Sequence, residues 1–569
     1  MKKLLLSNIY FLIGLLLTLS LLWPLFAAPY FKHHDDVQII RLYEMDKCFK
    51  DHQIPCRWVP DLGGLYGYPI FNYYAPLPYY FGELVYFASH NLLFSAKVMF
   101  VFSFFGAYVF MYLLGRKLWG EMGGTLSAIF YSFAPYHALD FYVRGAMGEM
   151  WALMLLPAVF WAAVKLEEKI SIFNLVIFAA TLTGLITAHN LSAMIFLPFT
   201  FIWVIILFFR KRNSKFLWLG AASAILGVLL SAFYLLPAIF EKNLVHIETT
   251  VGGYFSYTEH FKGMRKLFLD RSWLYGSSIR EIPGGGKDGL SYQIGWVHLL
   301  GWLLAITAGA VYWKKNKITS LSLLFFSGAI VIAVFMIHPR SEFIWRSLEP
   351  LKYLQFPWRF LLIVIFFISL SVGSFFLLNL KKKKLVWAIL IFGVVALNFS
   401  YFKPEEFIQT SDEKLLSGKD WDKQIKRSIF DYLPIYAKEP PAQLAAERFQ
   451  ILTGESKIYD FREGTNWLSF KAETKSHTII RLSQYYFPDW KIFVDGTETK
   501  VEYNDNSLGL MTLILGKGNH EIWGRLYDTQ IRVIANIISL MALGVAALLL
   551  LVSSQRVCHW ITYYRKRMN

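Results

Sequence analysis

The sequence predicts a polytopic α-helical membrane protein of about twelve transmembrane helices carrying a C-terminal extracytoplasmic β-sandwich. Three observations predict it. Of 569 residues 56% are hydrophobic and only 17% charged, with a mean hydropathy of +0.41, against about 25% charged in an ordinary soluble domain. Uncharged apolar runs near the length that crosses a bilayer, about 20 residues, recur along the chain. Basic residues fall in every second connection, as expected of short cytoplasmic loops. Three cysteines in this length rule out a disulfide-stapled scaffold, and the apolar content rules out disorder.

Taken in order, the crossings run from 5 to 27, 94 to 114, 123 to 139, 148 to 164, 171 to 188, 190 to 209, 216 to 237, 294 to 312, 318 to 337, 358 to 379, 385 to 402 and 532 to 553. The first run is longer than the 7–15 residues of a signal-peptide core, and Pro29 follows its only small-residue pair, so it reads as a retained anchor. With Lys2 and Lys3 inside, the inner loops hold Arg116 and Lys117, Lys165 and Lys169, Arg210 to Arg212, Lys314 to Lys317 and Lys381 to Lys384, and the tail holds Arg565 to Arg567. The net charge of +17 is thus an orientation signal, and no nucleic-acid partner is expected. Pro76 to His90 holds Glu83 and would invert every later loop if it crossed, so it is placed as an interfacial helix on the outer surface.

Residues 1–402 therefore form a transmembrane domain with long outer loops at 28–93, 240–293 and 338–357 and a short one at 140–147. Residues 403–531 form an outer domain, and 532–569 a last helix with a basic tail. The outer domain has 17 basic and 20 acidic residues. Its second half alternates like strands at Trp467 to Ala472, Thr478 to Gln484, Trp490 to Val494, Leu510 to Leu515 and His520 to Leu526. Asp495-Gly496 and Gly516-Lys517-Gly518 supply turn residues between them. A jelly-roll-like sandwich fits this pattern.

No phosphate loop, HExxH, CxxC pair or nucleophile elbow is present; Pro283 to Gly289 is rich in glycine but has the wrong spacing for a phosphate loop. Cys48 and Cys56 share the outer side, where a bridge and two free thiols are both open, and Cys558 lies inside. The strongest polar cluster is His33-His34-Asp35-Asp36, directly after the first crossing. Carboxylates there could take a proton from a hydroxyl or hold a cation, with the histidines assisting; alone, the cluster would read as a hydrated loop start. Ile54 to Tyr80 then packs eight aromatics and five prolines into 27 residues, including Trp58, Tyr73 and Tyr74. That suits an aromatic wall over the membrane surface, facing sugar rings or prenyl chains. Asp140, Arg144 and Glu149, His189-Asn190, and Arg359 after Trp358 fall at the same depth. Singly such charges snorkel; together they line a cavity for an anionic head with an apolar tail.

This order of elements resembles the C-type (GT-C) superfamily of integral membrane glycosyltransferases. More closely, HHDDVQIIRLYE, IPCRWVPDLGGLYGYPIFNYYAPLPYY, TAHNLSA, WLYGSS, DGLSYQIG and LQFPWRFL resemble the bacterial membrane family labelled 6-pyruvoyl-tetrahydropterin synthase related. The stretch YYFPDWKIFVDGTETKV is similar to the outer domain of YfhO-like membrane proteins. The resemblance implies an inverting transfer of sugar from a polyprenyl-phosphate donor to a glycan, lipid or protein acceptor. The setting it implies is the outer face of a bacterial cytoplasmic membrane, with both termini inside.

Carried over residue by residue, it makes Asp35 or Asp36 the base or the metal-holding carboxylate, with His33 and His34 assisting. A magnesium or manganese ion would sit at Asp35, Asp36 and His34. Asp140 or Glu149 is the second acid, and Arg359, Arg144, Arg265 and His189 meet the donor phosphate. Trp58, Tyr73, Tyr74 and Trp358 form the wall. Rival readings are a transporter or flippase of lipid-linked sugars, and a non-catalytic assembly protein of the envelope.

Overall fold

The computed structural model describes residues 2–279, 289–378, 381–427 and 432–568. Pro283 to Asp288, and the side chains of Lys2, Lys3, Cys558 and Arg565 to Arg567, lie outside what is described.

Among the described residues seven helices are long and apolar enough to cross a membrane: Leu92–Ser132, Met147–Glu168, Asn190–Lys211, Lys317–Ile337, Pro357–Leu377, Lys383–Tyr401 and Gln530–Ser553. Three shorter apolar helices, Ile9–Ser20, Ile172–Ala188 and Trp296–Tyr312, join them. So does a pair, Ser214–Leu230 and Ala232–Phe240, bent by 70°. Every predicted crossing overlaps one of these, although 5 to 27 runs on past Ser20 into the short helix Pro24–Ala27 and 123 to 139 past Ser132 into Pro135–Ala138. Two predicted crossings, 94 to 114 and 123 to 139, share the 41 residues of Leu92–Ser132. Straight, that helix would measure about 60 Å, twice the hydrocarbon core. It turns back at Gly120, whose φ of 79° favours glycine. The two arms then pack so tightly that a Cβ on Gly115 would lie 2.9 Å from the Cα of Gly124. The crossing at 216 to 237 is corrected from one straight helix to a broken one. Ser231 ends the first half, and the Phe233 amide donates to Ser539 Oγ of the last helix.

The charged ends sort by side. Lys117 pairs with Glu168 at 2.6 Å, and Arg210 pairs with Glu167, so the connections at 116–117, 165–169 and 210–212 lie together at one end of the bundle. Asp140, Arg144, Glu149, His189 and Arg359 gather at the other, joined by contacts described below. Leu77–Ser89 is a separate helix, with Leu84 and Phe87 exposed.

In the outer domain eight strands form a sandwich of two antiparallel sheets. They are β1 (Phe449–Thr453), β2 (Ser456–Glu463), β3 (Trp467–Thr474), β4 (Thr478–Tyr485), β5 (Trp490–Val494), β6 (Thr497–Thr499), β7 (Leu510–Leu515) and β8 (Gly518–Leu526). One sheet has the order β2-β3-β8-β5-β6 and the other β1-β4-β7. Alternation in β3 buries Leu468, Phe470 and Ala472, which meet Ile480, Leu482, Leu513 and Leu515 across the sandwich. Asp495 and Gly496 take φ of 50° and 80°, as a tight hairpin turn between β5 and β6 requires.

The first outer loop clamps this domain to the bundle. Cys48 and Cys56 form a disulfide, which settles the alternatives left open by the sequence. The Asp51 carboxylate accepts from the Thr465 amide and hydroxyl and from Trp467 Nε1, the last at 2.9 Å. Trp58 and Tyr73 enter the sandwich core itself. A two-residue ribbon pairs Tyr30–Phe31 with Phe407–Ile408, and the Asp412 carboxylate caps Leu92–Ser132 by accepting from the Leu92 and Leu93 amides.

Candidate functional site

The site begins where the chain leaves its first helix. The amides of His34 and Asp35 donate to the carbonyls of Val143 and Arg144 at 2.9 and 2.8 Å, so the acidic motif lies along the turn that ends the π-helical stretch Leu139–Arg144. Gln38 seals this join by donating to the Gly145 carbonyl at 2.8 Å, and is itself held by the Tyr79 hydroxyl at 2.6 Å. Gly145 has a φ of +64°, and a Cβ there would sit 2.3 Å from His33 Nδ1, so only glycine lets the two segments meet.

The two aspartates part company at this turn. Asp35 is exposed and lines a cavity of about 1150 Å³; Asp36 is half-buried and does not line it. His33 is buried with its Nε2 2.8 Å from the Tyr30 hydroxyl, while His34 Nε2 donates to the Tyr275 carbonyl at 2.9 Å. His34 therefore ties the loop 240–293 over the motif.

Next to the motif, and lining the same cavity, stands a buried ion cluster. Glu149, in the first turn of Met147–Glu168, accepts from the Tyr136 hydroxyl and from Arg144 Nη1 at 2.8 Å, and its Oε2 lies 3.4 Å from Arg359 Nε. Arg144 Nη1 also donates to Asp140. Aromatic faces fix both guanidiniums: Arg144 lies 4.7 Å over Trp358 and Arg359 lies 4.9 Å over Phe356, and those two rings stack at 4.9 Å. Arg359 Nη1 donates to the Leu354 carbonyl at 2.7 Å and to Gln355 Oε1 at 3.2 Å. No described residue accepts from Nη2 of either arginine, and both residues line the cavity.

His189 sits between two apolar helices, and its Nδ1 accepts from the Ser192 amide at 3.3 Å. The same Nδ1 lies 2.6 Å from Ser192 Oγ, and His189 lines the cavity. Such a set can grip an anion, and the apolar lining (Ile70, Leu191, Met194, Ala238, Ile239 and Phe255) suits a lipid chain beside it.

The cavity thus brings together His33, His34, Asp35, Arg144, Glu149, His189, Tyr73, Tyr74, Trp358 and Arg359. Four expected residues fall elsewhere. Asp36 is set back, and Asp140 is fully buried behind Arg144 as its counter-ion. Arg265 is exposed on the short helix Met264–Phe268 and away from the cavity. Trp58 packs on Phe487 and Trp490 at 5.5 and 6.2 Å, so it belongs to the sandwich core and not to the wall. Lys32, Arg41, Lys242, Tyr254, Gln355 and Tyr432 line the cavity without having been anticipated. Gln355 had a signal in its place before Phe356-Pro357-Trp358; the others are ordinary outer-loop residues by sequence. Among the described residues no group of three or more His, Cys, Asp or Glu side chains is arranged to hold a metal.

The family model for the 6-pyruvoyl-tetrahydropterin synthase related domain, described as a membrane protein, matches residues 71–403. An uncharacterized protein of Lactococcus lactis subsp. cremoris (strain MG1363) is 24% identical over 240 residues, 40% of this chain and 39% of that protein. Among solved structures, the arabinofuranosyltransferase AftD from mycobacteria is similar with a TM-score of 0.44 and 13% identity, over 70% of this chain and 27% of AftD. The match therefore spans about two fifths of the Lactococcus protein and about a quarter of AftD.

Proposed function

We propose, from the premise that the chain belongs to the membrane-protein family described as 6-pyruvoyl-tetrahydropterin synthase related, that it is a glycosyltransferase drawing sugar from a polyprenyl-phosphate donor. One observation carries this reading. One cavity at one end of the bundle is lined by an exposed carboxylate, Asp35, by two arginines, Arg144 and Arg359, by His189 and by apolar side chains.

In the reaction Asp35 takes the proton of the acceptor hydroxyl as its oxygen attacks the anomeric carbon from the face opposite the phosphate. The bond from that carbon to the phosphate oxygen breaks, inverting the centre. The lipid phosphate leaves with the electron pair, its charge met by Arg359, Arg144 and His189 Nε2. Glu149 and Asp140 position the arginines. In the alternative role of this carboxylate, Asp35 would hold a magnesium or manganese ion instead of taking the proton, and the ion would supply positive charge to the reaction. Acceptor, sugar and prenyl length follow from none of these contacts. In this reading the membrane is the bacterial cytoplasmic membrane, the cavity and sandwich face outward and both termini face the cytoplasm. The lipid donor and a glycan, lipid or protein acceptor are then the partners.

The transporter reading has one feature on its side, the 70° break at Ser231. The test separates them. Purified protein is incubated with a panel of polyprenyl-phosphate sugars, and both release of the lipid phosphate and donor binding are measured. Asp35→Asn should cut release by about 10²- to 10⁴-fold while donor binding stays, and Asp36→Asn should have a smaller effect. Release at the normal rate in Asp35→Asn would remove the base and favour transport.

A further inference from the structure

A tyrosine cluster on the outer domain lies beside the cavity mouth and has no part in the chemistry above. Tyr486 and Tyr503 stack at 3.9 Å with planes 4° apart, and Tyr436 meets both edge-on at 5.1 and 4.9 Å. Tyr486 follows the end of β4 between Tyr485 and Phe487, which are buried in the sandwich core, and packs at the rim of that core. All three rings are half-buried, and no described residue hydrogen-bonds to any of their hydroxyls. The core beneath is already filled by Tyr485, Phe487 and Trp490.

The cluster is continuous with the cavity. Tyr432, four residues before Tyr436, lines the cavity and stacks on Tyr73 at 5.5 Å and 18°. His246 Nε2 donates to the Ala437 carbonyl at 2.7 Å, and the neighbouring Ile247 is a lining residue. One segment of chain, from Tyr432 to Ala437, therefore links the cavity lining to the cluster.

We propose that Tyr436, Tyr486 and Tyr503 form a platform that binds the acceptor as a chain of pyranose sugars, one end of which enters the cavity past Tyr432. The chemistry favours this occupant. A pyranose ring offers an apolar C–H face to an aromatic ring and hydroxyls around its rim, and the cluster offers the face of Tyr503 turned away from Tyr486 together with unbonded hydroxyls. Lys438 is exposed beside it, and Asp489 lies close to Tyr486, a polar rim unlike a lipid-binding face. The proposal rests on the transferase reading, for which it names the acceptor class.

The test uses the full chain in detergent, with chitohexaose, maltohexaose and α-1,6-mannohexaose as separate probes followed by saturation-transfer NMR. At least one should bind, with affinity lowered tenfold or more in Tyr486→Ala and in Tyr503→Ala, and only two- to fivefold in Tyr503→Phe, which keeps the ring. Thermal melting checks the folding of each variant, and Tyr503→Ala with Tyr503→Phe suffices if Tyr486→Ala does not fold. Binding of a probe without any turnover would sink the transferase and leave the platform. Turnover with an unchanged acceptor KM in both alanine variants would sink the platform and leave the transferase. Absence of binding by all three probes overturns the proposal, as does a concentration-dependent dimer lost in Tyr503→Ala, which would assign the face to a second copy of the chain.

Discussion

At Glu149 a single carboxylate answers to two arginines and a tyrosine, in a setting almost closed to water. Two cations and two anions, with Asp140, make the cluster neutral before any ligand arrives. In the proposed reaction a donor phosphate would be held by the directions of free N–H groups more than by net charge, and that is a property of the planar guanidinium. Arg359→Lys keeps the charge but loses the fork and the stacking on Phe356. It should weaken donor binding by about 1–3 kcal/mol, measured by titrating a polyprenyl-phosphate sugar into the purified protein; unchanged affinity would reduce Arg359 to a counter-ion of Glu149. Glu149→Gln leaves Arg144 with Asp140 alone and strips Arg359 of its acid. Breaking a buried pair costs about 3–5 kcal/mol, so the variant should melt at a clearly lower temperature even without ligand.

Among the elements, the helix Gln38–Lys50 decides how the first loop sits, since it carries both the disulfide and Asp46, Lys47 and Glu44 on buried faces. Burial first, then the charge of Asp61, pushes the Glu44 carboxyl well above the usual carboxylate range, and neither of its oxygens accepts a hydrogen bond. A raised folded pKa means that the stabilisation is complete below the unfolded value of about 4.3 and is lost as pH rises through the folded one. Melting temperature should therefore fall on raising the pH from about 5, and Glu44→Gln should flatten that fall; an identical slope in the variant would show that Glu44 titrates normally. A second element-level expectation concerns Asp51. Asp51→Ala removes three hydrogen bonds that join the loop to the sandwich and should loosen the domain, seen as faster protease cleavage between residues 403 and 448 with the bundle intact.

What could be read from the sequence follows the range of the forces. The crossings were legible because apolarity is local, and β3, β4, β5, β7 and β8 because their alternation is. The weak strands β1 and β2, with most of their residues at least half exposed, carry no such pattern. The acidic motif and Arg359 were legible from residue type and depth. Trp58 was misplaced because its partners lie more than 400 residues away, and the choice of Asp35 over Asp36 depends on the single register of two amides against Val143 and Arg144.

For the whole molecule the testable statement is orientation. Cysteine introduced at Ser411 should react with an impermeant reagent from outside intact cells, and one at Asn213 only after lysis, with Cys558 replaced by serine. Labelling of both from one side would invert or break the map on which the cavity's placement depends.

The insertion of Trp58 and Tyr73 into a core made of residues 433–526 has a further meaning for how the protein comes into being. The ribosome finishes the first loop long before it reaches the sandwich. At about 5–20 residues per second the partners of Trp58 arrive roughly 20–90 s later. Throughout that interval an aromatic loop waits at the membrane surface beside an unfinished wall, so the waiting loop is the stretch a membrane chaperone or protease would meet first. Among the described lining residues only Tyr432 comes from the outer domain, so the bundle carries nearly the whole cavity before the sandwich exists, and what the sandwich adds on folding is a fixed seat for Trp58 and Tyr73.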